Sequence, residues 1–145
     1  MRDASAFDGT AFLGLARRAK RDPYRLALFA AHLDPDEVPL AFLPVQGGTV
    51  VVTDRRILEM RAHLDVHGPW NVKEFLGYEV RRSWARANIR GIQHLASRLE
   101  GGVEDRIVLT TPEGDASIVV SRGPEATLGP EDVDALRSAV LRPQA

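Results

Sequence analysis

Apolar residues recur at helical spacing near both ends of the chain and at strand spacing between them. Residues 7–33 predict two short helices. The first is expected to begin at Asp8, because an aspartate side chain caps free backbone N–H groups. The second is expected to begin at Asp22-Pro23, since proline suits the first position of a helix. The acidic residues that follow, Asp34, Asp36 and Glu37, predict a solvated turn.

From Val38 onward the pattern changes to short segments that are rich in branched residues and separated by turn signals. Strands are predicted over residues 38–45, 49–53 and 56–62. In the third of these, apolar and charged residues alternate, which predicts a sheet with one face in water. Residues 63–73 are polar and include a Gly-Pro pair, so a loop is predicted there.

A fourth strand is predicted from Leu76 to Trp84. Alternation places its apolar and aromatic residues on one side together with one arginine. The members of that side are Leu76, Tyr78, Val80, Arg82 and Trp84. Residues 89–99 fit either a fifth strand or a short helix, because Gly91 weakens both.

The last third of the chain predicts a hairpin and then a helix. Residues 106–111 and 116–121 are separated by Pro112-Glu113-Gly114, which suits a turn closed by a glycine in the left-handed region. Pro130 predicts the start of a C-terminal helix, and Pro143 its end. The residues expected to form its buried stripe are Val133, Leu136 and Val140.

The stretch from residue 47 to residue 61 joins two of the predicted strands through the turn Thr53-Asp54-Arg55-Arg56. It resembles the glycine–valine–threonine–aspartate–arginine pattern of bacterial pleckstrin-homology-like (PH-like) and GRAM-like domains. The matching residues are Gly48, Val50, Val52, Thr53, Asp54, Arg55, Arg56, Ile57 and Leu58. Roughly residues 36–142 are covered by this resemblance.

The resemblance implies two nearly orthogonal sheets of about seven antiparallel strands that form a barrel, with the C-terminal helix plugging one open end. We therefore expect an α+β, mainly β fold. Residues 1–35 would be an N-terminal helical extension, and residues 36–145 the PH-like domain. Phosphoinositide-binding members use basic residues in the loop between the first two strands. Here that loop, residues 44–48, has no positive charge, which disfavours a phosphoinositide site.

The turn residues themselves are expected to have a structural role. Asp54 can bond its own backbone two residues further on, as turn aspartates do. Thr53 suits the end of a strand because its side chain is branched. Arg55 and Arg56 either reach a carboxylate or solvate the hairpin.

Composition limits the classes of function. The chain has the size of one domain, and it has no cysteine, so disulfides and thiolate chemistry are excluded. The net charge of −1 argues against a dedicated nucleic-acid-binding protein. All but two of the 19 basic residues are arginines. No apolar run is long enough for a transmembrane segment, and the N-terminus does not resemble a signal peptide, so a cytoplasmic location is predicted by default.

No motif in the sequence indicates catalysis or metal binding. His63 and His67 have a spacing that ligates metals in helices, but a Gly-Pro pair follows and no third ligand is near, so solvated loop histidines are predicted. There is no nucleophile elbow and no phosphate-binding loop. We therefore predict a non-enzymatic protein without a cofactor or a metal site.

The most plausible binding surface is an arginine-rich stretch interleaved with aromatic residues. Its members are Tyr78, Arg81, Arg82, Trp84, Arg86 and Arg90. Arginine beside aromatic rings can clamp phosphates or stack on bases, and Trp, Tyr and Arg are also the residues that dominate protein interfaces. The alternative is a solvated face that pairs with nearby acidic residues.

Two functional hypotheses follow. The first is a PH-like module that acts through protein–protein contact, with self-association as one form of that contact. The second is the binding of a small ligand or an anionic lipid through the arginine-rich face.

Overall fold

The computed structural model describes residues 2–67, 69 and 72–141, and within them the chain is mainly β. The strands are β1 (Ala11–Phe12), β2 (Pro39–Val45), β3 (Gly48–Thr53), β4 (Arg56–His67), β5 (Val72–Ala85), β6 (Gly91–Leu99), β7 (Gly102–Thr111) and β8 (Gly114–Gly123). The α-helices are α1 (Pro23–Ala30) and α2 (Pro130–Leu141). Short 3-10 helices span Ala4–Phe7, Gly14–Ala16 and Arg86–Asn88.

The strands form two sheets. The first has the order β1-β2-β3-β4-β5, in which β1 runs parallel to β2 and the other pairs are antiparallel. The second has the antiparallel order β6-β7-β8. The predictions of a mainly β fold and of a C-terminal helix are therefore confirmed. Residues 89–99, for which the sequence fitted either a strand or a short helix, contain the strand β6.

The expected closed barrel does not form. Among the described residues no strand pairing joins the two sheets. The chain passes from β5 through the 3-10 helix Arg86–Asn88 into β6, which belongs to the other sheet. On the opposite side, the Gln46 N–H donates to the Val119 carbonyl oxygen at 3.2 Å, so the sheets touch there without forming a ladder.

The main core lies between the two sheets and is covered by α2. The helix buries Val133, Leu136 and Val140 in one core cluster with residues of both sheets, among them Ile57 of β4 and Ile107 of β7. This is the stripe that the helical spacing predicts. Burial of such side chains stabilises the fold by about 2 kcal/mol each, so α2 contributes strongly to holding the sheets together.

A second core lies on the other face of the first sheet, under the N-terminal segment. Phe7, Phe29 and Leu33 pack there on Phe42 and Leu58. The central strand β3 is consequently buried on both faces. This explains its continuous apolar run, since a strand with one wet face would alternate.

The prediction of a first helix beginning at Asp8 is wrong. The chain there forms a 3-10 helix, the short strand β1 and another 3-10 helix. Gly14 has a φ of 59°, in the left-handed region that a continuing α-helix excludes, and its backbone lies close to the side chain of Leu43. The second prediction is confirmed, because α1 begins at Pro23 with the Asp22 carboxylate accepting two backbone N–H bonds.

The prediction of a loop over residues 63–73 is also wrong for most of that range. β4 extends to His67 and β5 begins at Val72, so the two strands form one long hairpin with Leu64 paired to Phe75. Pro143, predicted to end the last helix, lies outside the described residues. No helix in the described ranges is long and apolar enough to cross a membrane.

Candidate functional site

The turn after β3 is held by the hydroxyl group of Thr53. Its Oγ1 accepts bonds from the Arg55 N–H at 3.1 Å and from the Arg56 N–H at 3.0 Å. This is the local turn bond that the sequence assigned to Asp54. The Asp54 carboxylate instead accepts the Val38 N–H at 2.9 Å, which fixes the start of β2 against the turn.

The two arginines of the turn bind carboxylates. Arg55 lies at the surface beside Asp34 and Asp36. Arg56 donates two bonds to Glu37, from Nε at 2.8 Å and from a terminal nitrogen at 2.9 Å. Each of the four side chains of the turn therefore binds another group of the protein.

Glu37 is the buried centre of this network, although the sequence placed it in a solvated turn. Its carboxylate also accepts the Thr53 hydroxyl at 2.6 Å and the Asp34 N–H at 3.0 Å. Burial by itself would raise the pKa of Glu37, but the bonds from Arg56, Thr53 and Asp34 outweigh it and lower the pKa to about 2. The carboxylate is therefore ionised and structural.

The arginine-rich stretch does not form one surface. The pairing of β4 with β5 shifts at Arg81, so that Val80 pairs with Met60 while Arg82 pairs with Glu59. A one-residue shift moves the following side chains to the other face. Arg82 and Trp84 consequently lie on the side of the main core, and Tyr78 lies on the side of the second core.

Arg82 is engaged by a buried carboxylate. It donates two bonds to Glu59, at 2.6 and 2.9 Å, and one to the Ser117 carbonyl oxygen at 3.1 Å. Its guanidinium also lies 5.1 Å from the centre of the Trp84 ring. Glu59 accepts a further bond from Arg61, and although burial raises its pKa, these bonds hold it below the ordinary value.

The remaining arginines of the stretch divide into two kinds. Arg86 donates to the Ala139 carbonyl oxygen at 2.8 Å and so ties the end of β5 to α2. Arg81 and Arg90 are exposed, and their side chains contact no hydrogen-bonding or ionic partner among the described residues. Of the four arginines in the predicted surface, Arg82 and Arg86 therefore bind the protein itself, and Arg81 and Arg90 are available to a ligand or partner.

We expect Arg82→Met to lower the free energy of unfolding by roughly 2 kcal/mol, because it removes charge-assisted bonds from the buried Glu59. Urea denaturation followed by circular dichroism measures the change. The matched control is Arg81→Met, one residue away and exposed, which should change stability by less than about 0.5 kcal/mol. Equal losses for the two variants would contradict the structural role of Arg82.

A row of aromatic rings leads from the second core to the β4–β5 hairpin. The ring of Phe42 lies 5.3 Å from that of Phe29, and Phe29 stacks on Tyr78 at 3.9 Å. Tyr78 in turn contacts Phe75 at 5.2 Å, edge to face. Offset and edge-to-face contacts of this kind favour a rigid arrangement, so the hairpin is held firmly against α1.

This row ends in an exposed apolar surface, which we call the hairpin surface, formed by Leu64, Phe75 and Val80. Leu64 is 50% exposed, Phe75 43% and Val80 38%. Leu64 and Phe75 are cross-strand partners, and Val80 lies two residues from Tyr78, so all three share the face of the second core. Sequence reasoning missed this surface because it assigned part of the hairpin to a loop.

Two of the described histidines contact carboxylate side chains. The described residues contain no group of three potential metal ligands. His63 contacts Glu79 at 3.2 Å, while the side chain of His67 lies outside the described part of the chain. His94 contacts the buried Asp105, which also accepts the backbone N–H groups of Thr127 and Leu128. That carboxylate therefore anchors the segment before α2.

Comparison of the chain with protein-family models, with curated proteins and with solved structures found no significant match. The functional argument therefore depends on the geometry of the chain itself.

Proposed function

We propose that this protein is a non-enzymatic PH-like module that acts through protein–protein contact, with a second copy of the chain as the partner. The hairpin surface carries the proposal. It is apolar, it adjoins the aromatic row, and two of its three residues lie on β5, the edge strand of the first sheet.

The strand arrangement supports the PH-like part of the proposal. Strands β2 to β5 and β6 to β8 give four and three consecutive strands, and a helix follows that packs over the core between the sheets. The turn at Thr53 to Arg56 joins the second and third of these strands, β3 and β4, into a hairpin. The additional strand β1 and the open contact between the sheets depart from that pattern.

The position of β5 supports association. It is 14 residues long and, among the described residues, pairs with no strand other than β4. The His32 ring contacts the Tyr78 carbonyl oxygen at 2.7 Å, and no strand covers the rest of that edge. Natural proteins usually cover or charge such an edge. In a twofold dimer the same surface serves both partners, so Leu64, Phe75 and Val80 of each copy would be buried together.

The alternative of ligand binding through the arginine-rich face has less support. Arg82 and Arg86 donate to acceptors of the protein, and the change of face at Arg81 separates Tyr78 from Trp84. A clamp for an anion needs convergent donors. Such a site would depend on Arg81 and Arg90.

Sedimentation velocity tests the proposal directly. We expect the wild type to show a monomer–dimer equilibrium that changes little with salt, because apolar contacts are not screened. Phe75→Glu and Leu64→Glu should each give a monomer, since a charge in an apolar interface is strongly unfavourable. The control is Leu99→Glu, which places the same charge at an equally exposed leucine on β6.

A wild type that stays monomeric at about 1 mM would exclude association stronger than about 4 kcal/mol and would contradict self-association. Equal effects of the hairpin variants and of Leu99→Glu would contradict the location of the interface. Circular dichroism of each variant separates loss of association from loss of folding.

A further inference from the structure

A cavity of about 260 Å³ lies between the N-terminal segment, α1 and the β2–β3 hairpin. Its walls are mainly apolar. They include Phe12, Leu26, Phe29, Phe42 and Pro44. Small-molecule sites typically combine such apolar walls with a few polar groups that orient the ligand. The size is close to the lower end of known ligand sites, which run from about 300 Å³.

Three cations lie around this cavity, namely Lys20, Arg21 and Arg25. Among the described residues that line it, Asp22 is the one with a carboxylate. That carboxylate already accepts the N–H groups of Tyr24 at 3.0 Å and Arg25 at 3.3 Å, as the cap of α1. The cavity therefore combines an apolar interior with a positive rim.

None of the three cations forms an ion pair with a described carboxylate. The guanidinium of Arg21 lies 4.1 Å from the centre of the Phe12 ring, and Arg25 donates to the Tyr78 hydroxyl at 3.0 Å. Arginines elsewhere in the fold, such as Arg56 and Arg82, bind carboxylates. The positive charge around the cavity is thus available to an anion.

A second cavity of about 240 Å³ shares Arg21 and Leu26 with the first and continues past Pro23 to Phe7. Two neighbouring cavities with common lining residues suit an extended apolar chain better than a compact ring. Asp8 lines the second cavity, so its negative charge would keep an anionic head at the opposite end, near Lys20 and Arg25.

We propose that these cavities bind a medium-chain acyl carboxylate. The acyl chain lies among Phe12, Phe29 and Phe42, and the carboxylate contacts Lys20, Arg21 and Arg25. The apolar walls match the acyl chain, and the cations match the carboxylate. A neutral lipid or a cationic amphiphile would lack the second of these contacts. The site is separate from the hairpin surface and goes beyond the association proposed above.

Isothermal titration calorimetry with sodium decanoate tests the proposal, and decyltrimethylammonium bromide provides the same chain with the opposite charge. We expect decanoate to bind more weakly as salt rises, and the cationic probe not to bind. A double variant, Lys20→Gln with Arg25→Gln, should weaken decanoate about tenfold, equivalent to ~1.4 kcal/mol. The double variant Arg81→Gln with Arg98→Gln removes two exposed arginines that do not line the cavity, so it is the charge-matched control and should bind as the wild type does.

A second variant tests the location. Ala19 lines the cavity and is exposed, so Ala19→Trp should fill the space with little effect on folding and abolish decanoate binding. The melting temperature with and without decanoate gives an independent measurement, because a ligand that binds the native state raises it. Absence of decanoate binding to the wild type, equal binding of the two probes, or full binding to Ala19→Trp would each overturn the proposal.

Discussion

Replacing Glu37 with glutamine is expected to lower the free energy of unfolding by about 3 kcal/mol at neutral pH, one of the two largest effects we predict for a single substitution. Glutamine keeps the shape of the side chain and can still accept bonds from Thr53 and the Asp34 N–H. It cannot neutralise Arg56, whose guanidinium would remain partly buried against a neutral amide. Equilibrium urea denaturation of wild type and variant measures the difference.

The Glu37 carboxylate should also make the free energy of unfolding depend on pH. The pKa of Glu37 is about 2 in the folded protein and 4.5 in the reference state, so the folded value is depressed. Its contribution is therefore complete above about pH 4.5 and is lost as the pH falls towards 2. The shift corresponds to about 3 kcal/mol. Wild type should lose this much more stability than Glu37→Gln over that interval.

The control for both measurements is Glu125→Gln, which removes an exposed carboxylate in the segment before α2. It should leave stability unchanged within about 0.5 kcal/mol. If Glu37→Gln were as stable as Glu125→Gln, or if its stability fell with acid as steeply as that of the wild type, the carboxylate would not have the role described.

Replacing Gly48 with alanine is expected to destabilise the fold by roughly 3 kcal/mol. A Cβ atom at this position would lie 1.9 Å from the Met60 carbonyl oxygen on the paired strand β4. Because that oxygen belongs to the backbone, no side-chain movement relieves the overlap, and the β3–β4 ladder itself must shift. Thermal and urea denaturation measure the loss, and amide hydrogen exchange in β3 and β4 should locate it.

Gly123→Ala is the matched control, since Gly48 and Gly123 are both terminal residues of strands but a Cβ atom at Gly123 would meet nothing within 4 Å. That substitution should be neutral or slightly stabilising, because alanine restricts the unfolded chain. An equal loss in both variants would show that the close approach at Gly48 is not the cause.

Gly48 also shows how much the sequence can reveal. The local pattern predicts the turn at Thr53 to Arg56, the hairpin at residues 106–121 and the helix beginning at Pro130, because turn residues and periodicity act over a few positions. The need for glycine at position 48 comes from a strand that pairs with it. That requirement can be read only after the pairing is known.

The features that the sequence did not reveal depend on long-range contacts. The register shift at Arg81 follows from the pairing of β5 with β4, and it separates aromatic residues that strict alternation places together. Glu37 is surrounded by polar and acidic neighbours in sequence, which favours a solvated turn. Glu37 is nevertheless buried, and its carboxylate binds Arg56, which lies 19 positions later in the sequence.

The candidate sites also depend on long-range contacts. The arginines from Arg81 to Arg90 attract attention because they are close in sequence, yet the bonds of Arg82 lead to β4 and β8 and that of Arg86 leads to α2. The cations around the cavity, Lys20, Arg21 and Arg25, are also close in sequence, but no motif there indicates a binding site. Their position beside Phe42 depends on the packing of the N-terminal segment on the sheet.

That packing bears on where the chain can be divided. The boundary at residue 35 separates the N-terminal segment from the strands by secondary structure, but it passes through a shared core. Phe29 and Leu33 cover one face of the sheet, and Arg2 donates to the Asp34 carbonyl oxygen at 2.9 Å. A protein beginning at residue 36 would expose Phe42, Val51 and Leu58 to water. The first 35 residues therefore cover part of the core of the folded unit. If the strands alone were transferred to another protein, a different segment would have to cover the same apolar face.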